Sequence, residues 1–272
     1  MSATSAVPTS QHAMWRLSGN LLPPLASFVI GIAAWEVAAR AAHLPTYVFP
    51  PPTMVLAALV QNFALLLSQL GVTVAASVIG FIISVLLGIT AGALISVSST
   101  LDRMLTPWLV VAHAIPKVVI APLFLIWFGF GMRSEVFFVV AFTFFPVVVN
   151  TIAGLRGADP DLLQMVRSMG ATRWKTLVKI RLPGALPSIF TGIKLSVTLA
   201  PVGAVIGEFV ASNSGLGHLL VQAVGDMETP LAFAAVAVFS VFGVLVWKFA
   251  EWIERRSLPW HASQREGRRR LV

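Results

Sequence analysis

The chain has 272 residues, 57% of them hydrophobic and 11% charged, with a mean hydropathy of +0.86. Because a soluble domain carries about 25% charged residues, this composition excludes a soluble globular protein and indicates a membrane protein. The net charge of +8 is confined to residues 156–181 and 248–272, each net +4, and basic clusters outside an apolar body argue against nucleic-acid binding. The absence of cysteine excludes disulfides, thiolate metal sites and cysteine nucleophiles.

Six apolar segments predict membrane-spanning helices, because a helix needs about 20 apolar residues to cross the hydrocarbon core. They cover approximately residues 21–39, 72–97, 105–130, 135–151, 184–209 and 231–252. Residues 1–20 form a polar tail without the pattern of a cleaved signal peptide, and residues 253–272 form a basic tail. The sequence therefore predicts an all-α membrane protein with one transmembrane domain, residues 21–252.

The first half of the chain also carries local pairing and packing signals. Glu36 and Arg40 are spaced i, i+4 at the end of the first span, so they can pair. Residues 53–69 predict a helix lying in the membrane interface rather than a span, because Asn62 and Gln69 interrupt its apolar stripe. In the second span, small residues at every fourth position predict close packing of another helix; they are Ala76, Gly80, Ser84, Gly88, Gly92 and Ser96.

The loop of residues 156–183 predicts two short helices joined at a glycine. Asp159 is a suitable N-cap, and Pro160 suits the first helical position. Gly170 can end the first helix in a left-handed conformation, and Thr172 can cap the second. The first helix has an apolar stripe at the spacing i, i+3, i+4, i+7, formed by Leu162, Met165, Val166 and Met169. An amphipathic basic helix pair between two spans predicts a docking surface, which we expect to end where Pro183 and Pro187 interrupt the helical pattern.

Charges in the loops predict the orientation of the chain. The third span contains Pro107, Pro116 and Pro122. The connection between the fifth and sixth spans contains acidic residues and no Lys or Arg, and its residues 216–224 predict a short external helix. Because basic loops stay on the cytoplasmic side, we expect the loop of residues 156–183 and both termini to be cytoplasmic.

Signals for chemistry within the chain are absent from the sequence. There is no G-x-x-x-x-G-K-[ST] loop, so any ATP hydrolysis must take place on a separate subunit. The five histidines are not spaced as metal ligands, and neither a catalytic set nor a cofactor site is predicted. The sequence therefore predicts a protein that is not an enzyme.

Ionisable residues within the spans offer two interpretations. Residues of this kind are costly in a membrane and usually face a pathway or a partner; they are His113, Lys117, Lys194 and Glu208. In the first interpretation they are structural, with Lys117 paired with Glu208 or extended towards the interface. In the second, His113 and Lys117, which bracket Pro116, line a translocation pathway with Glu208 and attract an anionic substrate. The sequence leaves both interpretations open.

A resemblance to a known family adds to this reading. Gly170, Ile180 and the dipeptide Leu182-Pro183 match the G-x9-I-x-L-P core of the cytoplasmic signature loop of binding-protein-dependent ABC importer permeases. The Glu-Ala-Ala that usually precedes this core is replaced by residues 164–166, Gln-Met-Val. Further segments resemble the sulfonate, taurine and nitrate branch of the family: residues 114–117, 121–124, 127–131, 145–151, 207–208 and 215–217.

The resemblance implies a type I importer permease architecture in the bacterial inner membrane. It implies two permease copies, here a homodimer, two ABC ATPase subunits, and a periplasmic or lipid-anchored binding protein. The implied solute is a small anion of the sulfonate, taurine or nitrate type, although relatives of this branch carry pyrimidine-type vitamin precursors. It also implies coupling helices held by the ATPase, with contact residues Asp161, Gln164, Arg167, Gly170, Ala171, Thr172, Arg173, Trp174, Ile180, Leu182 and Pro183. Membrane lipid is the remaining expected partner.

The alternative from another class is a secondary transporter or channel that works without ATP. Such proteins are expected to show repeated halves or paired carboxylates in broken helices, and the sequence shows neither. That alternative would also leave the spacing between Gly170 and Leu182-Pro183 unexplained.

Overall fold

The computed structural model describes residues 22–42 and 45–257. Its regular elements are the helices α1 (Leu22–Ala41), α2 (Pro52–Gln61), α3 (Phe63–Val97), α4 (Ser99–Ala114), α5 (Ala121–Phe128), α6 (Met132–Arg156), α7 (Pro160–Ser168), α8 (Arg173–Thr176), α9 (Leu182–Ala211), α10 (Leu216–Gly225) and α11 (Thr229–Ser257). A π-helical turn, Leu177–Arg181, joins α8 to α9. The predicted all-α class is confirmed, with no strand among these residues.

Helices α3, α6 and α9 form the centre of the molecule, and glycines let them approach closely. A Cβ atom at Gly80 would lie 2.6 Å from Cγ1 of Val139, and one at Gly88 would lie 2.7 Å from Cβ of Val147. On α9, a Cβ atom at Gly203 would lie 2.9 Å from the Cα atom of Val139. The close packing predicted for the second span is confirmed, and its partner is α6.

Hydroxyl groups add hydrogen bonds between these three helices. Thr143 on α6 donates to the hydroxyl of Ser84 on α3 at 2.6 Å, and Ser196 on α9 donates to the carbonyl of Thr143 at 2.6 Å. Side-chain hydrogen bonds of this kind connect helices in lipid, where apolar burial supplies little driving force. All three residues are buried.

Five helical segments within the described ranges are long and apolar enough to cross a membrane: 23–41, 63–97, 132–156, 174–211 and 229–254. The predicted third span, residues 105–130, is not one continuous helix, because α4 ends at Ala114 and α5 begins at Ala121. Pro116 explains the break: a proline disfavours the helical conformation of the residue before it, and Ile115 is extended, with φ −68° and ψ 124°. Pro107 lies inside α4, and Pro122 lies in the first turn of α5.

The segment predicted as one interfacial helix, residues 53–69, is also divided. Asn62 separates α2 from α3, so residues 63–69 are the first two turns of the long helix. The predicted pair of Glu36 and Arg40 is confirmed, with the Nε atom donating to the carboxylate at 2.6 Å. The same carboxylate accepts the backbone N–H of Thr53 at 3.1 Å, so it also connects α1 to α2.

Candidate functional site

The first short helix of the loop begins and ends as the sequence predicts. The carboxylate of Asp159 accepts the backbone N–H of Asp161 at 2.9 Å, so it caps α7. At the other end Gly170 has a φ of +80°, and the N–H of Ala171 donates to the carbonyl of Val166 at 3.2 Å. Together with the bond from the N–H of Gly170 to the carbonyl of Arg167 at 2.9 Å, this is the Schellman arrangement that closes a helix C-terminus.

The second helix begins as predicted but does not end at the prolines. The hydroxyl of Thr172 accepts the N–H of Lys175 at 3.3 Å and caps α8. The helix then continues without interruption from Trp174 to Ala211, whereas the sequence analysis expected Pro183 to interrupt it. The π-helical turn explains the difference: the N–H of Leu182 donates to the carbonyl of Leu177, five residues back, and such a turn accommodates a proline, which has no N–H of its own.

The α7–α8 pair, residues 160–176, exposes an apolar face. Met165, Met169 and Trp174 are 55%, 77% and 71% exposed, and Leu162 is 39% exposed. None of the residues of α7 is buried. Asp161, Gln164 and Arg167 are exposed on the same helix. An apolar face of this size on a polar loop indicates an interaction surface.

The remaining residues predicted for the coupling loop lie at its base. Leu177 and Leu182 pack against a buried cluster formed by Leu155, Ala185 and Ile189. Ile180 is half-buried, and Pro183 is exposed at the start of α9. The structure therefore divides the predicted set into a protruding part, residues 161–174, and a base, residues 180–183, in which Leu182 packs on the cluster between α6 and α9.

The predicted pathway residues His113 and Lys117 both contact helix α6. The imidazole of His113 stacks on the ring of Phe145, with centroids 3.8 Å apart, and the Nζ atom of Lys117 lies 5.7 Å from the centroid of Phe142. Pro116 is exposed between them. Lys117 and Glu208 do not form an ion pair, so this part of the structural interpretation is wrong.

Glu208 is fully buried near the end of α9 and holds the beginning of α10. Its carboxylate accepts the N–H of Gly217 at 2.6 Å. Gln69 and Thr73 on α3 accept the preceding two N–H groups, those of Gly215 at 2.5 Å and of Leu216 at 3.0 Å. The N–H groups at the beginning of a helix have no partner within it, and here side chains from two neighbouring helices supply one for each of these three.

Three polar residues in this region, Gln69, Thr73 and Glu135, were not predicted as functional or structural residues from the sequence. Gln69 was interpreted only as an interruption of the apolar stripe of residues 53–69. Thr73 and Glu135, which are both fully buried, were not predicted to have a role. A polar residue facing inward from an apolar helix is the signal that could have indicated them. Within residues 22–42 and 45–257, no group of three His, Asp or Glu side chains could hold a metal ion.

Two ion pairs connect elements at the loop end of the molecule. Lys194 on α9 donates to Glu254 on α11 at 2.5 Å. Asp102 on α4 pairs with Arg156 on α6 and accepts the hydroxyl of Thr106 at 2.6 Å. The hydrogen bonds from Thr106 and Arg156 lower the pKa of Asp102 below its usual value.

Comparison with known proteins identifies the family. The family described as binding-protein-dependent transport system inner membrane component matches residues 84–258. The chain is 32% identical over 248 residues to the formylaminopyrimidine transport permease protein ThiX of Halalkalibacterium halodurans, covering 91% of this chain and 99% of the relative. It is 28% identical over 254 residues to the taurine transport system permease protein TauC of Escherichia coli, covering 91% and 92%.

A solved structure shows the same fold. The inward-facing methionine ABC transporter MetNI matches with a TM-score of 0.63 and 18% identity, over 72% of this chain and 97% of that chain. The family match replaces the alternative of a transporter or channel that works without ATP. The chain belongs to the binding-protein-dependent ABC importer permeases, in the branch of the sulfonate and taurine transporters, and is a multi-pass inner-membrane transport subunit of such an importer.

Proposed function

We propose that the α7–α8 pair is the surface on which a separate ATPase subunit docks to drive import. The observation that carries this proposal is the exposure of Met165, Met169 and Trp174, each more than half exposed on a loop that is otherwise polar. Apolar side chains that cluster at a surface mark contact sites. The ATPase contacts residues 161–174, and Ile180, Leu182 and Pro183 anchor the pair to the transmembrane helices.

The continuous helix that follows supports a mechanical role for this surface. Because α8, the π-helical turn and α9 form one helix from Trp174 to Ala211, a displacement of Trp174 reaches the transmembrane region without crossing a flexible loop. Leu177 and Leu182 pack on the end of α6 as well. Closure of the ATPases thus moves α6 and α9, which pack on each other along their length.

We infer that the complete importer contains two copies of this chain, two ATPase subunits and a periplasmic or lipid-anchored binding protein. Large apolar side chains outside the three central helices support a second copy and surrounding lipid as partners: Trp108, Ile126 and Trp127 are 72%, 74% and 64% exposed. The basic loop and both termini lie in the cytoplasm, in accordance with the positive-inside rule. This topology needs six crossings, so the divided segment of α4 and α5 must cross the membrane in addition to the five long helices. The residues between α9 and α11 then face the binding protein.

We infer that the transported solute is a small anion of the sulfonate, taurine or nitrate type. The name of the relative TauC supports this class. The positive charge of Lys117 and the imidazole of His113, held on one face of α6 by Phe142 and Phe145, can attract an anion beside the break at Pro116. Glu208 contributes to the pathway by holding α10 rather than by contacting the solute.

Docking is tested by placing a charge on the apolar face. Met169→Glu, which adds a carboxylate at a 77% exposed position, should reduce recovery of the co-expressed ATPase by about tenfold or more, because the charge is desolvated on docking. Met227→Glu is the matched control, since Met227 is 68% exposed before α11. Recovery is measured by affinity purification of the permease from membranes, and equal recovery with both variants would contradict the docking role.

The solute class is tested at Lys117. Lys117→Met should reduce uptake of the anion by about tenfold, because a charge that attracts the solute in a partly buried site is lost, whereas Lys117→Arg should retain most of the uptake. Lys248→Met, at an exposed position on α11, controls for the loss of one positive charge. The measurement is solute uptake into cells with equal amounts of permease in the membrane; unchanged uptake by Lys117→Met would refute the role.

A further inference from the structure

A polar cavity lies between the α7–α8 pair and the ends of the transmembrane helices. It has a volume of about 610 Å³. Its walls come from the end of α3, from α4, α6, α7 and α8, and from the π-helical turn. The lining residues include Ser96, Asp102, Arg156, Arg167, Thr176 and Arg181. Because these residues belong to six different elements, the cavity is a feature of the folded chain and not of one helix.

The charges that line this cavity are unbalanced. Three arginines face one carboxylate, so the lining has a net charge of +2. Asp102 pairs with Arg156. The guanidinium groups of Arg167 and Arg181 have no ion pair or hydrogen bond with any of the described residues.

One of the two unpaired arginines, Arg181, also has a buried donor atom. Its Nε atom is buried and lacks a hydrogen-bond partner among the described residues. Buried donors are almost always paired in folded proteins, so this N–H group lacks the acceptor that a folded chain normally supplies. The cavity thus presents a donor and two unneutralised positive charges to whatever enters it.

We propose that this cavity binds an oxyanion, in the form of a phosphate or sulfonate group, between Arg167 and Arg181. The planar guanidinium group of an arginine can donate two parallel hydrogen bonds to two oxygens of such a group. The volume exceeds that of a bare phosphate ion, so the group can belong to an anionic lipid headgroup or to a free solute. A bound oxyanion connects α7, through Arg167, to the base of α9, through Arg181, and so fixes the orientation of the surface that receives the ATPase.

The experiment measures binding to the full chain in nanodiscs and involves neither an ATPase nor a transported solute. Inorganic phosphate is titrated in discs of phosphatidylcholine, and the unfolding temperature gives the apparent affinity. Arg181→Gln should weaken binding by about tenfold or more, because a charged hydrogen bond contributes about 1.5–3 kcal/mol. Lys179→Gln removes a charge from the same π-helical turn outside the cavity, so it should bind phosphate as the parent chain does.

A second arm identifies the source of the oxyanion. Phosphatidylglycerol that remains with the chain after detergent washing is quantified in the parent chain, in Arg181→Gln and in Lys179→Gln. Retention that depends on Arg181 identifies a lipid headgroup, whereas a phosphate-dependent rise in unfolding temperature without lipid retention identifies a free anion. If Arg181→Gln does not fold, Arg167→Gln on the exposed helix α7 takes its place. Equal phosphate binding and equal lipid retention in Arg181→Gln and Lys179→Gln would overturn the proposal.

Discussion

Two short helices flank the long helix α9, and their surroundings are opposite. After the end of α9, the N–H groups of Gly215 and of the first two residues of α10 are accepted by Gln69, Thr73 and Glu208. The apolar residues Leu216 and Leu219 of α10 are buried in a cluster with α11 and α2. Before the beginning of α9, α7 has no buried residue. Asp159 accepts an N–H group at the start of α7, and N–H groups of the turn at Gly170 donate to carbonyls at its end.

If the proposed docking role is correct, this difference separates a structural part of the chain from a part that receives the ATPase. The beginning of α10 is held by contacts within one chain, so substitutions there should act on folding. In the proposed function the ATPase covers the apolar face of α7, so substitutions there should act on association and transport. Gly170 and Gly215 provide a direct comparison, because both have a positive φ, +80° and +98°.

The largest effect is expected at Gly215. In Gly215→Ala the new Cβ atom would lie 2.7 Å from an oxygen of the buried Glu208 carboxylate, and the backbone would also be strained by its positive φ. The added atom overpacks the site, which costs about 1–3 kcal/mol, and the backbone strain adds about 1–2 kcal/mol, so little folded protein should reach the membrane.

Gly225→Ala is the control for Gly215→Ala. It lies at the other end of the same helix, without a positive φ and with no atom within 4 Å of a new Cβ. Yield and unfolding temperature of the purified chains measure the effect. A Gly215→Ala chain as stable as Gly225→Ala would show that α10 is not held as the structure indicates.

A smaller effect is expected from replacing Glu208. Glu208→Leu leaves the N–H of Gly217 buried without an acceptor, whereas Glu208→Gln retains a carbonyl oxygen at the same distance along the side chain. The glutamine variant should therefore be the more stable of the two by about 1–3 kcal/mol, the cost of an unpaired buried donor. Thermal unfolding in detergent measures the difference, and uptake by Glu208→Gln at the parent rate would establish that the negative charge is not needed for transport.

The sequence predicted the local structure of the loop well because that structure depends on local chemistry. Asp159, Gly170 and Thr172 act within a few residues of their own positions, and each was identified from residue type and spacing. The prediction that the glycines of α3 allow close helix packing was also confirmed, since small residues at a four-residue spacing permit it whichever helix lies opposite. Family motifs then added what no local pattern contains, the nature of the importer.

The sequence could not predict what depends on distant contacts. Gln69 was interpreted as an interruption of an apolar stripe, but its role is to accept the N–H of Gly215, 146 positions away. Pro183 was predicted to interrupt a helix, but the π-helical turn before it lets the helix continue. No single residue type in the sequence indicates such a turn. The break at Pro116 shows the reverse case: the proline was recognised, but not that it would divide the span.

The smallest effect on stability is expected at Gly170. Gly170→Ala meets no atom within 4 Å, so it adds only the strain of a left-handed alanine, about 1–2 kcal/mol, to a helix pair with few contacts to the rest of the chain. The unfolding temperature should therefore remain within the range of Gly225→Ala. Uptake and recovery of the ATPase should nevertheless fall, because relief of the strain rotates α7 away from α8 and separates Met169 from Trp174.

Gly170→Ala should affect uptake without affecting the unfolding temperature, and this distinguishes it from Gly215→Ala. A folding defect at Gly215 reduces yield, stability and uptake together, whereas a defect at the α7–α8 turn should reduce uptake at constant yield and stability. If Gly170→Ala loses stability and uptake in the same proportion, α7 belongs to the folded core and the contrast with α10 fails. If it retains full uptake, the turn does not orient the apolar face, and docking must depend on residues of α7 alone.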